Sequence, residues 1–335
     1  MNNSKTLVAI LNWNGWEDTV ACCKSLLAAE MSGTDVLIFD NGSSNDSAAA
    51  LRNQFLEWGS QKTSETIEVR ASTLHVEVFD CTGITFKLHS HPDNLGFAKG
   101  CNYSASYADA TGYDRLILLN NDTTIKPDAF VRMRETLDAQ CADIVIPQIR
   151  YFDEPDRFWN CGGEVSYWGQ IRYYHARALA KDIRLPPTFP VGFATGCCML
   201  CRVNFFVGVG GFTEDFFFGE EDVELSLRLK KQSRSLICDT RAVVFHKVGA
   251  SLRGNPEFLS RKAYVHLLNR LINMRSFMPW LIWNCWSFVV CSRVYLSNSY
   301  SFPRSLSYVI KLFIESRTAR KVGKERFREI IDLGI

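Results

Sequence analysis

Arg115-Leu-Ile-Leu-Leu-Asn-Asn-Asp122 is the stretch on which the fold turns. Four large aliphatics in an unbroken run read as a strand buried on both faces, the pattern of a parallel sheet covered by helices. The polar triplet that follows must point into a site or cap the next turn. Pro127 then suits the first turn of a helix that runs through about Ala139.

The same grammar repeats outward from this run. Thr6–Leu11 precedes it as a first strand, and Val20, Cys23, Leu26 and Leu27 then recur at helical spacing. Val36–Phe39 is a second strand, ending at Asp40, and Ile84–Leu88 is a third. Beyond the opening stretch, Asp143–Pro147 is a fifth. Strands alternating with helices predict βαβ units, hence an α/β fold with a Rossmann-like, mostly parallel central sheet flanked by helices. Ile67–Arg70 and Val76–Phe79 are weaker strand candidates with no assigned place. Residues 151–190, rich in aromatics and glycine, read as loops or short strands covering a pocket.

Polar clusters follow the carboxyl ends of these strands: Asn12 and Asn14, then Asp40, Asn94 and Asp122. Open parallel sheets bind ligands at that edge. Asp40 can accept from a pyrimidine N–H, and Gly42 allows close backbone approach. An Asp/Gly turn with a helix cap near Asp46 is the plainer alternative. In Asp93–Asn102 the small residues 96, 98 and 100 would let a helix start close to a ligand, with Asn94 and Asn102 as polar fingers. A tight strand–helix junction would look the same.

Asn120-Asn121-Asp122 suits Mg²⁺ or Mn²⁺, which take oxygen ligands and keep waters, so one carboxylate plus a diphosphate suffices. A simple Asn/Asp turn is the alternative. Glu220-Glu221-Asp222 follows Phe216-Phe217-Phe218 and Gly219. Desolvation and mutual repulsion should raise the proton affinity of at least one of these acids. Val223, Leu225, Leu227 and Leu229 alternate as in a strand. However, acids first and Arg228, Lys230 and Lys231 last match a helix dipole, so the segment is read as a helix. Acids serving only that dipole are the plainer reading. His246, after the Ala242–Phe245 strand, could reach a metal or diphosphate, and fits equally as a buried structural histidine.

Bulk properties narrow the field. The 335 residues, 47% hydrophobic and 22% charged, can bury a sizeable core. A net charge of +2 gives no reason to expect nucleic acid as a partner. No export signal is legible near the N-terminus, which predicts a cytoplasmic protein whose 12 cysteines stay thiols. Cys198-Met-Leu-Cys201 has no second pair at metal spacing and reads as a buried strand. Toward the C-terminus, Trp280, Trp283 and Trp286 are placed on one helical face. From Arg304 to Arg328 eight Lys/Arg face two Glu. This predicts an interfacial helix at an anionic membrane, while packing on the domain or on another subunit is the alternative.

Taken together, these segments resemble the family 2 glycosyltransferases, particularly their bacterial rhamnosyltransferase-like branch. The matching text is VAILNWNG, LIFDNGSSNDS, DNLGFAKGCN, LILLNNDTTIKPDAF, ATGCCMLCR, VGGFTEDFFFGEEDVELSLRLKK and FHKVGAS, in the family's order over most of residues 6–252. The resemblance implies a GT-A fold at 1–255, a C-terminal membrane-associating helical extension at 256–335, and an inverting reaction. Asp40 would contact the nucleobase, Asn94 and Asn102 would line the nucleotide pocket, and Asn120 would lie near the ribose. Asn12, Asn14, Asn41, Gly42, Gly96, Lys99 and Asn121 complete the expected nucleotide-sugar contacts. Asp122, aided by His246, would hold the metal. Asp222, paired with Glu221, would be the base. Asn120 departs from the strictly acidic Asp-x-Asp form, and the stretch before Ile84 is longer than usual.

The implied partners are a nucleotide-diphosphate sugar such as dTDP-rhamnose and a lipid-linked saccharide acceptor. The setting is cell-surface polysaccharide (O-antigen or capsule) synthesis at the cytoplasmic face of the inner membrane. Residues 277–328 would make the peripheral contact, and a homodimer is compatible with it. Two rivals remain: a glycoside hydrolase, which also needs two carboxylates, and a non-catalytic nucleotide-sugar-binding scaffold subunit. A nicotinamide dehydrogenase is disfavoured because no glycine fingerprint follows the first strand.

Overall fold

The computed structural model describes residues 4–166, 168–248, 256–296 and 306–333. Its chain begins β1 (Thr6–Asn12), α1 (Trp16–Leu27), β2 (Thr34–Asn41), α2 (Ser47–Trp58), β3 (Gly59–Val69), β4 (Ser72–Cys81), β5 (Ile84–His91) and α3 (Phe97–Ala110). Next come β6 (Arg115–Asn120), β7 (Thr123–Ile125), α4 (Ala129–Ala139), β8 (Ile144–Tyr151) and the short β9 (Phe158–Asn160), β10 (Gly163–Val165), β11 (Ile171–Tyr173) and β12 (Thr188–Pro190). The sheet-bearing part closes with β13 (Cys198–Arg202), α5 (Val203–Gly208), α6 (Glu221–Lys231) and β14 (Leu236–His246). Four helices follow: α7 (Pro256–Phe277), α8 (Trp280–Leu296), α9 (Leu306–Thr318) and α10 (Lys324–Arg328).

Along the main sheet the order is β12-β14-β8-β13-β6-β1-β2-β5-β4-β3. β6, β1, β2 and β5 are mutually parallel, as the aliphatic runs predicted, and β14 is parallel to β8. β13 is wedged antiparallel between β6 and β8, so the sheet is mixed. The unplaced candidates before Ile84 become β3 and β4, an antiparallel hairpin that extends the sheet beyond β5.

Alternate residues of β1 serve opposite cores. Val8 and Ile10 pack with residues of α1, α2 and α4, whereas Leu7 and Ala9 pack with residues of α3, α5 and α6. Covering both faces removes water from most side chains of the central strands, which explains their lack of polar alternation. Between β1 and β6 the strand order reverses, opening a crevice at the carboxyl ends of both. Cys198 and Cys201 lie buried on β13, as read from the sequence.

The C-terminal helices share a third core, which also takes in Phe216 from the loop before α6. Here the tryptophan face is corrected. Trp283 and Trp286 are buried, at 2% and 6% exposure, while Trp280 is 73% exposed. At 100° per residue, two steps of three leave the ends of the triplet about 120° apart, so the outer pair cannot share a surface. The exposed apolar side chains besides Trp280 include Leu281, Phe288, Val289 and Leu296 on α8 and Leu306, Ile310 and Ile314 on α9. Among the described residues no helix is long and apolar enough to cross a membrane. Residues 249–251 of the last matching segment and 297–305 of the tail lie outside the described residues.

Candidate functional site

The pairing of Leu11 with Asn120 sets the ends of β1 and β6 side by side. Asn12 is fully buried there. Its amide donates to Asp40 Oδ1 at 2.6 Å, and its Oδ1 accepts from Thr19 at 2.8 Å. Ser43 also donates to Asp40 Oδ1, at 2.5 Å. Asn12 is thus spent on aiming Asp40, while Asn14 accepts the backbone N–H of Ser44 and shapes the β2–α2 loop.

A second knot joins that loop to the start of α3. Asn41 Oδ1 accepts from Leu95 N at 2.9 Å, and its Nδ2 donates to Asn94 Oδ1 and to the Gly96 carbonyl, each at 3.2 Å. Gly42 sits at φ +66°, and a Cβ there would lie 2.3 Å from the Asp93 carbonyl carbon. Only glycine permits this approach. Asn102 is not a free finger: its amide donates to the Phe212 carbonyl and Glu214, and accepts from Phe212 N. Lys99 and Asn94 line a cavity of about 550 Å³, whose far wall is Glu214–Phe217 and Lys321–Lys324.

Asn121 donates to Thr19 and to the Gly15 carbonyl, closing the crevice over α1. Asn120 Oδ1 is buried without a partner. Asp122 Oδ1 lies 3.1 Å from His246 Nε2, yet the two lack hydrogen-bond alignment, and His246 Nδ1 is also unpartnered. β14 delivers His246 opposite Thr123 of β7, and the edge-on ring of Trp159 holds it, with centroids 4.6 Å apart. Lys247 N donates to the Asp122 carbonyl at 2.9 Å. A buried carboxylate oxygen facing an imidazole nitrogen without a hydrogen bond is unfavourable by itself. It suits a shared cation, so the residues present fit Mg²⁺ or Mn²⁺. Among the described residues no group of three or more His, Cys, Asp or Glu forms a ready metal cage. The remaining ligands would therefore be diphosphate oxygens and water.

The acids enter from α6. Glu221 is buried with Oε2 unpartnered, and burial followed by the neighbouring Asp222 pushes its carboxyl well up. Asp222 is also raised, chiefly by burial, but less, because Gly196 N donates to its Oδ2 at 3.3 Å. The two carboxyls are thereby set apart in proton affinity, Glu221 above Asp222.

One link was not expected from the sequence. Gly196 N reaches Asp222, and the carbonyl of the next residue, Cys197, accepts Asn120 N at 2.8 Å. The Cys197 thiol is raised by burial and by both Asp122 and Asp222. Two adjacent residues before β13 therefore link the Asn120–Asp122 turn to Asp222. The small-residue run Ala194-Thr195-Gly196 was the available signal, but nothing in it named a partner.

Comparison with known proteins agrees with this geometry. Residues 74–208 match the family Glycosyl transferase family 2. Over 95 residues, 27% of the chain, it is 35% identical to the N-acetylglucosaminyl-diphospho-decaprenol L-rhamnosyltransferase of Mycobacterium tuberculosis, strains CDC 1551 and H37Rv alike. That match spans 31% of the relative's length. GalNAc-T7, solved with UDP, GalNAc and Mn²⁺, superposes with a TM-score of 0.60 at 13% identity, covering 99% of this chain and 57% of that one. The mannosyltransferase PcManGT of Pyrobaculum calidifontis, in complex with GDP-Man and Mn²⁺, gives 0.52 at 12% identity, covering 94% and 86%. Residues 74–208 are thus similar to the family 2 glycosyltransferases, and the chain as a whole has the α/β GT-A fold of these solved structures.

Proposed function

We propose that the protein is an inverting glycosyltransferase that moves a sugar from a nucleotide-diphosphate donor to a hydroxyl of a lipid-linked saccharide. The observation that carries this reading is the convergence of buried, unpartnered polar atoms at two linked stations. These are Asn120 Oδ1 and Asp122 Oδ1, the latter facing His246 Nε2, on one side of Gly196-Cys197, and Glu221 Oε2 on the other. Such atoms are costly to bury unless a ligand completes them. A scaffold subunit would have no use for raised acids beside them.

Asp40 would accept a pyrimidine N–H, held in register by Asn12 and Ser43. Asp122 and His246 would hold the metal, which when bound supplies positive charge to the departing diphosphate. Asp222 would take the proton of the acceptor hydroxyl as that oxygen attacks the anomeric carbon. The carbon–diphosphate bond breaks on the opposite face, and the nucleoside diphosphate leaves. One displacement inverts the centre.

The named relative, a rhamnosyltransferase acting on a diphospho-decaprenol, supports rhamnose as donor sugar and a polyprenyl-diphosphate-linked acceptor; the sequence resemblance adds cell-surface polysaccharide synthesis as the setting. Contact with the cytoplasmic leaflet would use the exposed apolar residues of α8 and α9, flanked by Arg293, Lys311 and Arg320. A thermal-shift screen of nucleotide-sugars with and without Mn²⁺ tests the reading. A Mn²⁺-dependent rise with one donor, followed by its turnover, is expected. No donor-dependent shift and no turnover would remove it.

A further inference from the structure

The loop that leads into the acids is held almost wholly by the C-terminal helices. Asn269 of α7 donates to the Phe218 carbonyl at 2.9 Å. Arg270 Nε lies 2.5 Å from Glu220 Oε1, and Asn273 donates to the same oxygen at 2.9 Å. A second nitrogen of Arg270 reaches the Gly169 carbonyl before β11. From beyond α9, Val322 pairs with the loop as a short parallel bridge, exchanging bonds with Asp215 and Phe217. Phe327 packs on Phe217 and Phe218.

Glu220 is an unusual residue to find so held. It is 6% exposed, it immediately precedes the acids, and its φ of +80° is a left-handed conformation that a non-glycine side chain rarely takes. A third buried carboxylate beside Glu221 and Asp222 would be strongly unfavourable without a cation. Arg270 is that cation, and it comes from the C-terminal unit.

We infer that Arg270 is a positioning residue for catalysis: by fixing Glu220 at the start of α6 it sets the orientation and charge balance of the Glu221-Asp222 pair. The C-terminal helices are on this view part of the catalytic machinery. The inference rests on the reading of Asp222 as the base. Asp222 faces Glu220 and Glu221 on its own helix, Arg270 from α7, Tyr173 from β11 and Cys197 before β13. Arg270 lowers and Glu220 raises its proton affinity, so their removal should act in opposite directions.

The test is donor turnover against pH for the full-length protein and for Arg270→Met, Arg270→Lys and Glu220→Gln, each first checked for folding by circular dichroism. Arg270→Met should lower kcat by ~10–100-fold, as expected for a misplaced catalytic group, with donor KM little changed. Its acid limb should move to higher pH, that of Glu220→Gln to lower pH, and Arg270→Lys should restore the limb. Limbs that stay put or move together, or a rise in KM at constant kcat, would overturn the inference. If Arg270→Met fails to fold, the limbs of Arg270→Lys and Glu220→Gln decide by the same criterion. An inactive wild type would remove the transferase reading and this inference with it, whereas an active wild type with unshifted variants removes only the inference.

Discussion

At the scale of residues, the two acidic stations make separable predictions. Asp222→Asn should lower kcat by ~10²–10⁴-fold, the usual worth of a general base, while donor binding by calorimetry stays intact. Asp122→Ala should instead weaken Mn²⁺-dependent donor binding by roughly 10–100-fold, what ~1.5–3 kcal/mol of charge-assisted contact corresponds to. Should the two variants fail in the same way, the division of labour is wrong. Because burial raises Asp222, the acid limb of kcat/KM should lie above the ordinary carboxylate range. Glu221 adds a stability signature. Raised in the folded state, it stays protonated where the unfolded chain has already ionised. The fold therefore loses stability as pH climbs from about 4 toward the raised folded-state value. Glu221→Gln should raise Tm by about 2–4 °C at pH 8 and leave it unchanged at pH 4. Equal Tm values at pH 8 would contradict the burial argument.

At the scale of elements, the strand–helix alternation was legible because doubly buried strands lack polar alternation, and α6 was legible from its acids-first, cations-last order. The β3–β4 hairpin was not. Its turn places Arg70 and Ala71 at φ +52° and +58°, positions where glycine or asparagine would have announced it. Arg70 is kept there by contacts distant in sequence, an ion pair of 2.5 Å with Glu214 and the ring of Tyr103. The partners of Asn102 were hidden for a similar reason: helix α3 turns it toward the Phe212–Glu214 loop. Gly42 offers the sharpest test of an element junction. Gly42→Ala would drive the β5–α3 loop away from β2 at a cost of about 1–3 kcal/mol, read by chemical denaturation, with weaker donor binding. A neutral effect would mean the loop yields freely.

At the scale of the whole molecule, the sheet-bearing part and the C-terminal helices share Phe216 and the Glu220–Arg270 pair. If the exposed apolar face meets a membrane, Leu281→Ser with Phe288→Ser and Ile310→Ser should cut binding to anionic vesicles by ~10-fold or more. Stability should change little, since these side chains face outward. Unchanged vesicle binding with a loss of self-association would point to a homodimer instead.

The sequence alone determined the α/β class, and from it come the proposed strand edge of the site and Asp122 and Asp222 as its two acidic marks. These features depend on local periodicity and on residue chemistry, both of which are written in order along the chain. Only the tertiary structure decided that Gly196-Cys197 links the segments of those marks, that Asn12 bonds Asp40 and Asn41 bonds Asn94 and Leu95, and that Trp283 and Trp286 are core. It also decided that a cation from α7 balances Glu220. Each of these is a contact between segments tens of residues or more apart, set by backbone hydrogen bonds and burial that no local pattern encodes.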